Sequence, residues 1–314
     1  MVSVNRRAAA IVERMTADAQ AVRIEVVRLK NGTQVIDCGV KAEGGFGAGK
    51  AVAEICLGGL GEVGFSLMDL EDLVLPLVNV AVDLPVISCM ASQYAGWKIE
   101  VGKFFAMGSG PARALSRVEE LFEKLDYKDE ADVGVLVLET SKLPSEEVAE
   151  SVAQKCGIEP SRLSLVAAAT RSIAGSIQIA ARSVETAMHK LDVLGFDLKK
   201  VMSGFGTCPL APASHDDLKA IGWTNDCVLY GSEAYLTVRA NDEEIEAIIE
   251  KIPSSTSKDY GMPFYDLFKR YGDFYKIDPL LFSPAKVTIT NARSGRIFRA
   301  GKVNKDLLRS ALLS

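Results

Sequence analysis

Short apolar runs alternate along this chain with stretches of helical period, and that alternation admits few architectures. VGVLVLET, residues 133–140, is apolar at nearly every position, the mark of a strand covered on both faces. EEVAESVAQKCG follows as an amphipathic helix that stops at Gly157. LVLPLVNVAVDLPVISCMASQY, residues 73–94, reads as a second buried strand, punctuated by prolines. VRIEVVRLKNGTQVIDCGV (22–40) alternates around Asn31–Gly32, and PAKVTITNARSGRIFRAGK (284–302) around Ser294–Gly295, so each predicts a hairpin. CVLYGSEAYLTVRA adds strands; ARALSRVEELFEKL, DEEIEAIIEKI and PFYDLFKRYG add helices. Helices and strands interleave throughout, so the expected class is α/β, in the mixed α+β sense, with two domains. No proline- or serine-rich linker marks a boundary, and the division is placed at residues 1–140 and 141–314. The two hairpins look alike, and each lies beside a helix opened by Val-Asn, at Asn5 and Asn304. A distant duplication, two terminal units packed together and plain coincidence all fit that likeness.

The chain has 314 residues, 48% hydrophobic and 25% charged, which excludes disordered and fibrous classes. Its net charge of -5 argues against broad binding to nucleic acid or to an anionic membrane, which needs clustered Lys and Arg. No run reaches the roughly 18 apolar residues of a membrane span. MVSVNRRAAAIVERM reads as an amphipathic helix rather than a leader, so a cytoplasmic location is expected. The six cysteines (38, 56, 89, 156, 208 and 227) form no C-x-x-C pair and read as buried thiols of a reducing compartment. With only His189 and His215, a histidine-rich metal site is excluded, and no metal is expected.

Several stretches could carry chemistry. GGFGAGKA (44–51) nearly matches a phosphate loop, but Ala51 stands where a hydroxyl would hold magnesium. It reads as a phosphate-loop-like nucleotide site, as a tight turn, or as a cradle of N–H groups for an anionic part of a substrate. MGSGPARAL (107–115) leads into Pro111 at a first helical position. Ser109, Gly110, Pro111 and Arg113 are thus candidates for holding a phosphate or carboxylate, against a plain strand–turn–helix joint. SQYAGWK (92–98) offers Gln93 and Tyr94 as ligand contacts or as packing at a core edge. Asn225 precedes an expected strand, as a turn residue or a polar contact to a heterocycle. Placed on one helix, Arg171, Gln178, Arg182, Glu185 and His189 share a face, opposite Ile173, Ile177, Ala180, Ala181, Val184 and Met188. That face is either a cleft wall or a solvated surface, and Arg182 and Glu185, three apart, can pair.

SVN near the start, QYAGW (93–97), MGSGPARAL (107–115), ARSVETAMHKL (181–191) and TNDCVLYG (224–231) occur in that order over essentially the whole chain. Together they resemble the methenyltetrahydromethanopterin cyclohydrolases. The resemblance implies a cytoplasmic α/β protein of two domains with a cleft between them, assembled as a homotrimer and using neither metal nor prosthetic group. It implies a tetrahydromethanopterin derivative as substrate: 5,10-methenyltetrahydromethanopterin and water give the 5-formyl form, reversibly. It places Arg182 and Glu185 at the reacting centre, and assigns Gln93, Tyr94 and the Ser109–Arg113 loop to substrate binding, with Gln178 and Asn225 as further candidates. Glu185 would take a proton from water and then deliver one to the departing nitrogen. A phosphate-loop-like nucleotide-binding protein and a non-catalytic pterin-binding protein are the competing readings.

Overall fold

A computed structural model describes residues 2–70, 73–272 and 276–313, and the statements below concern those residues. In chain order the strands are β1 (Glu25–Arg28), β2 (Gln34–Asp37), β3 (Gly61–Leu70), β4 (Leu73–Val82), β5 (Trp97–Val101), β6 (Phe104–Ser109), β7 (Gly134–Glu139), β8 (Leu163–Ala168), β9 (Val201–Pro209), β10 (Glu233–Val238), β11 (Lys286–Asn291) and β12 (Ile297–Gly301). The α-helices are α1 (Val4–Ala17), α2 (Ala19–Val22), α3 (Phe46–Cys56), α4 (Arg113–Ser116), α5 (Leu121–Lys124), α6 (Glu146–Cys156), α7 (Ile173–Ala180), α8 (Ser183–Val193), α9 (Asp217–Asp226), α10 (Asp242–Glu246), α11 (Phe264–Tyr271) and α12 (Lys305–Leu313). Two π-helices join them, π1 (Val86–Gln93) and π2 (Cys227–Gly231).

The chain divides into two units, Met1–Glu62 with Ile87–Gln178, and Val63–Val86 with Ile179–Ser314. Residues 141–178 therefore belong with the first unit and residues 63–86 with the second, so the units are not consecutive halves of the chain. The division anticipated at residue 140 falls inside the first unit.

The first unit is a six-stranded sheet of order β1-β2-β8-β7-β6-β5. β2, β8 and β7 run parallel, and the outer pairs β1–β2, β7–β6 and β6–β5 are antiparallel. Alternate residues of the apolar strands serve opposite cores. Val135, Val137, Val166 and Ala168 pack with α1 and α3, whereas Leu136, Leu138, Leu163 and Leu165 pack with α6. That double cover is why VGVLVLE shows no polar face. Ser3 caps α1 by accepting from the Arg6 N–H, and Val4, Ala8, Ile11, Val12 and Met15 bury one stripe. α6 is capped by Ser145 and ends at Gly157, whose φ of 67° suits glycine.

The second unit is a six-stranded sheet of order β12-β11-β10-β9-β4-β3, in which β10 and β11 are parallel and β9 pairs antiparallel with both β10 and β4. β10 and β11 alternate buried residues with partly buried or exposed ones, the pattern of a sheet covered on one face. α8 packs on the covered face, where Gly204 and Gly206 of β9 make room for it. The two hairpins read from the sequence form as β1–β2 and β11–β12, each at an edge of its own sheet, one in each unit.

Four local expectations are corrected. The run 73–94 is strand only to Val82; Pro85 cannot donate to a ladder, and the remainder coils into π1. CVLYG at 227–231 is likewise π-helix, not strand. The helix expected after Pro111 shrinks to the single turns α4 and α5, because Arg117 takes a left-handed φ of 48° that ends the first. The glycine-rich segment at 44–51 is helical from Phe46 onward. A methyl group on Gly49 would meet Ile177 Cδ1 at 2.5 Å and Ala174 Cα at 3.1 Å, so that glycine serves helix packing.

Candidate active site

The polar line expected along one long helix is broken. α7 ends at Ala180, Arg182 sits at φ -91° and ψ 7°, and α8 starts at Ser183. The break lies beside the passage of the chain from the first unit into the second. Arg171 lies in the turn before α7, Gln178 on α7, and Glu185 and His189 on α8. Arg182 is the residue preceding α8. Its carbonyl accepts from the Thr186 N–H at 2.8 Å and from the Thr186 hydroxyl at 3.0 Å. Glu185 stands in the first turn, where the helix dipole favours a carboxylate.

Arg182 Nη1 and Glu185 Oε2 form an ion pair at 3.6 Å, longer than a direct hydrogen bond. Both residues are nearly out of water, at 9% and 5% exposure. The turn that carries them is wedged against β9: a methyl group on Gly206 would come within 2.3 Å of Ser183 Oγ, and one on Gly204 within 2.5 Å of Val184 Cγ1. Ser183 is fully buried and its hydroxyl has no hydrogen-bond partner among the described residues.

In the first unit, Gln178 Nε2 donates to Glu139 Oε2 at 3.1 Å, and the Thr170 hydroxyl donates to Glu139 Oε1 at 2.5 Å. Glu139 closes β7 at the end where the parallel strands β2, β8 and β7 finish, the usual ligand end of such sheets. Sequence reading passed over Glu139; the signal was a lone carboxylate ending an apolar strand.

The 107–113 stretch and the 92–94 stretch come together, also in the first unit. Gln93 is fully buried at the end of π1, and Tyr94 is half-buried beside it. Ser109 Oγ donates to Gln93 O at 2.6 Å, and the Gly110 N–H to Ser92 O at 2.8 Å. Arg113, expected to reach toward an anion, is fully buried instead. Its Nε and Nη2 hold Glu119 at 2.8 and 2.7 Å, and its Nη1 donates to Met90 O and Ser92 O at 3.0 and 2.9 Å. Pro111 O accepts from Asn5 Nδ2 at 2.9 Å. Glu119, the partner that makes this burial tolerable, was not singled out from the sequence.

Lys50 pairs with Glu54 on the next turn of α3. The turn before α3 is shaped by Asp37, whose carboxylate accepts from the N–H groups of Gly39, Val40, Lys41 and Ala42. In the second unit, Asn225 lies on α9 and bonds back to Ile221 O at 2.8 Å. Its neighbour Asp226, also missed, is buried and accepts from the Phe264 N–H at 2.8 Å. Burial pushes the Asp226 carboxyl up to about 7. Among the described residues no group of three or more His, Cys, Asp or Glu side chains is arranged to hold a metal ion. No described helix is long and apolar enough to cross a membrane.

Arg182 and Glu185 thus form an ion pair almost out of water at the start of α8, on a mixed α/β scaffold. The family model described as cyclohydrolase (MCH) matches residues 3–312. The methenyltetrahydromethanopterin cyclohydrolase of Methanococcoides burtonii is 49% identical over 311 residues, covering 98% of this chain and 97% of its own. Those of Methanosarcina barkeri and Methanocaldococcus jannaschii are 45% and 46% identical, each alignment spanning at least 97% of both partners. The chain belongs to the cyclohydrolase (MCH) family.

Proposed function

We propose that this protein hydrolyses 5,10-methenyltetrahydromethanopterin to 5-formyltetrahydromethanopterin, and catalyses the reverse, with Glu185 as general acid–base and Arg182 beside it. The observation that supports the reading is the enclosed Arg182–Glu185 pair at the start of α8, in a chain whose relatives bear that activity's name. The reacting carbon of the cation lies between two nitrogens and is electrophilic as it stands, so the demand on the protein is to activate water. Glu185 accepts a proton as the water oxygen bonds to that carbon, giving a neutral carbinolamine. The carboxyl then protonates N10 while the C–N10 bond breaks and the carbonyl forms. The hydroxyl proton leaves through the carboxylate to solvent, so one water is consumed and one proton released. Arg182 fixes the direction of the carboxylate, and the substrate cation should bind with the guanidinium off its ring plane, which limits repulsion. The same kinship leads us to infer a homotrimer in the cytoplasm; sedimentation of the purified protein tests the assembly.

The test follows the absorbance of the conjugated cation in wild type and Glu185→Gln. Loss of at least ~10²-fold in turnover in the variant, at an unchanged melting temperature, supports the role of Glu185. A wild type that leaves the substrate intact overturns the cyclohydrolase reading, and a fully active variant overturns the base.

A further inference from the structure

Lys190 is a buried ammonium that the mechanism above does not use. It stands on α8 at 2% exposure, and its Nζ donates to Leu280 O at 2.6 Å. Burial pulls the ammonium below the ordinary lysine range, and the Asp278 carboxylate opposes that pull. The turn that receives it is braced from its far side. Asp278 caps the single turn Pro279–Leu281: its Oδ1 accepts from the Leu280 N–H at 3.1 Å, and its Oδ2 accepts from the Ser257 hydroxyl at 2.6 Å. The Asp278 N–H donates to Asp259 Oδ2 at 2.9 Å, and the Tyr271 hydroxyl donates to Asp259 Oδ1 at 2.8 Å. All these groups belong to the second unit, as do Arg182 and Glu185.

At about 100° per residue, Lys190 lies about 140° round α8 from Glu185. Val184, Ala187, Met188 and Leu191, all fully buried, fill the wider arc between the two, and Val184 is packed over Gly204 of β9. Glu185 and Lys190 therefore flank, one on each side, the stripe by which α8 rests on its sheet. Apolar contact is not directional, so such a stripe resists lifting better than it resists rolling. A hydrogen bond to a braced carbonyl is directional. Side-chain ends lie about 5–6 Å from a helix axis, so a roll of ~10° carries a carboxylate about 1 Å.

We propose that Lys190 is a positioning residue for Glu185: its hydrogen bond to the Leu280 carbonyl keeps α8 from rolling on β9 and β10, and so fixes where the carboxylate points. Stability alone does not call for an ammonium here, because an apolar side chain of similar volume often serves a buried place as well or better. What the ammonium adds is direction. The kinetic part of this inference rests on the cyclohydrolase reading above with Glu185 as its base; the tether does not.

Lys190→Met keeps the length of the side chain and removes the tether. The variant should melt no more than about 3 °C below wild type. Its kcat for the methenyl pterin should fall ~10-fold to 10²-fold, the cost of about 1 Å at a positioned group, while KM moves less than about threefold. In a Glu185→Gln chain the same substitution should change the residual rate less than about twofold, because the group it aims is gone. Ser257→Ala loosens the receiving turn from its far side. It should lower kcat by about threefold to tenfold, the size of one hydrogen bond, and add nothing further in the Lys190→Met chain. Amide hydrogen exchange across residues 186–193 should quicken in Lys190→Met with no substrate present. Unchanged exchange overturns the tether. Wild-type kcat in Lys190→Met, or an equal loss in the Glu185→Gln chain, overturns the positioning role. A fall in kcat that only follows a large fall in melting temperature makes Lys190 a residue of the fold and overturns it too. If Lys190→Met does not fold, Ser257→Ala decides: its loss of kcat must vanish in the Glu185→Gln chain, or the proposal fails. Failure of wild type to turn over the pterin counts against the cyclohydrolase reading, and exchange still decides the tether.

Discussion

Gly206→Ala places a methyl group under the first turn of α8. Its Cβ would lie 2.3 Å from Ser183 Oγ, 2.9 Å from Ser183 Cβ and 3.1 Å from Val184 Cγ2. Ordinary contact is about 3.5–4.0 Å, so the strand and the helix must part by roughly an ångström. The neighbouring glycine offers no relief, since Gly204 already brings Val184 within 2.5 Å of where its own Cβ would be. Overpacking of this kind costs about 1–3 kcal/mol, and replacing a strand glycine returns about 0.5–1. A net loss of about 1–2 kcal/mol corresponds to a melting point lower by about 1.5–3 °C in a chain of 314 residues. Activity should suffer more than stability, because a shift of about 1 Å in a positioned group can cost ~10²-fold. The assay pairs a thermal melt with decay of the substrate absorbance at a temperature where both forms are folded. Adding Ser183→Gly removes the two nearest atoms and should restore most of the rate. Wild-type melting and turnover in Gly206→Ala would refute the claim that this contact aims Glu185.

Ser183→Ala removes a buried hydroxyl that has no hydrogen-bond partner among the described residues, and should leave the protein as stable as wild type or raise its melting point by a few degrees, since such a group costs about 1–3 kcal/mol. The Asp226 carboxyl is held at about 7 in the fold, above its unfolded value, so its contribution is fully present in acid and is lost as pH rises from about 4 through 7. Asp226→Asn keeps an acceptor for the Phe264 N–H and should therefore gain on wild type at pH 8, by on the order of 2–4 kcal/mol, but not at pH 4. Melts at the two pH values decide it, and a gain confined to acid would reverse the sign. Gly49→Ala should destabilise although alanine favours helix, because its Cβ would meet Ile177 at 2.5 Å; Ile177→Ala in the same chain should recover part of the loss.

What could be read from the sequence was what depends on neighbours along the chain. β7 and β8 show as apolar runs, α6 announces its end at Gly157, and Asn31–Gly32 marks its hairpin. Arg182 and Glu185 stood out because a spacing of three survives the break that begins α8. The break itself carries no glycine or proline at 181–182, so nothing local foretold it. π1 was hidden because an apolar run suits a strand and a buried helix alike. The partners of Arg113 were not legible in its motif because they lie elsewhere: Met90 and Ser92 some twenty residues earlier, Glu119 beyond the next turn. Glu139 became visible only when Thr170 and Gln178 were brought to it from outside its own strand.

The insertion of residues 63–86 into the first unit's sequence has a consequence for biosynthesis. β3 and β4 emerge early, yet β4 pairs with β9, where Val78 faces Cys208. The ribosome must add about 130 further residues before that partner exists, on the order of ten seconds at ~5–20 residues per second. The first unit, by contrast, has its last strand once Ala168 is made. For that interval the two strands have no sheet to join, and Leu67 and Val74, still largely exposed in the finished protein, are open to any unpaired edge nearby. Whatever slows translation between codons 86 and 201 lengthens the exposure, so the yield of active protein should depend on elongation rate and on chaperone supply there more than anywhere else in the message.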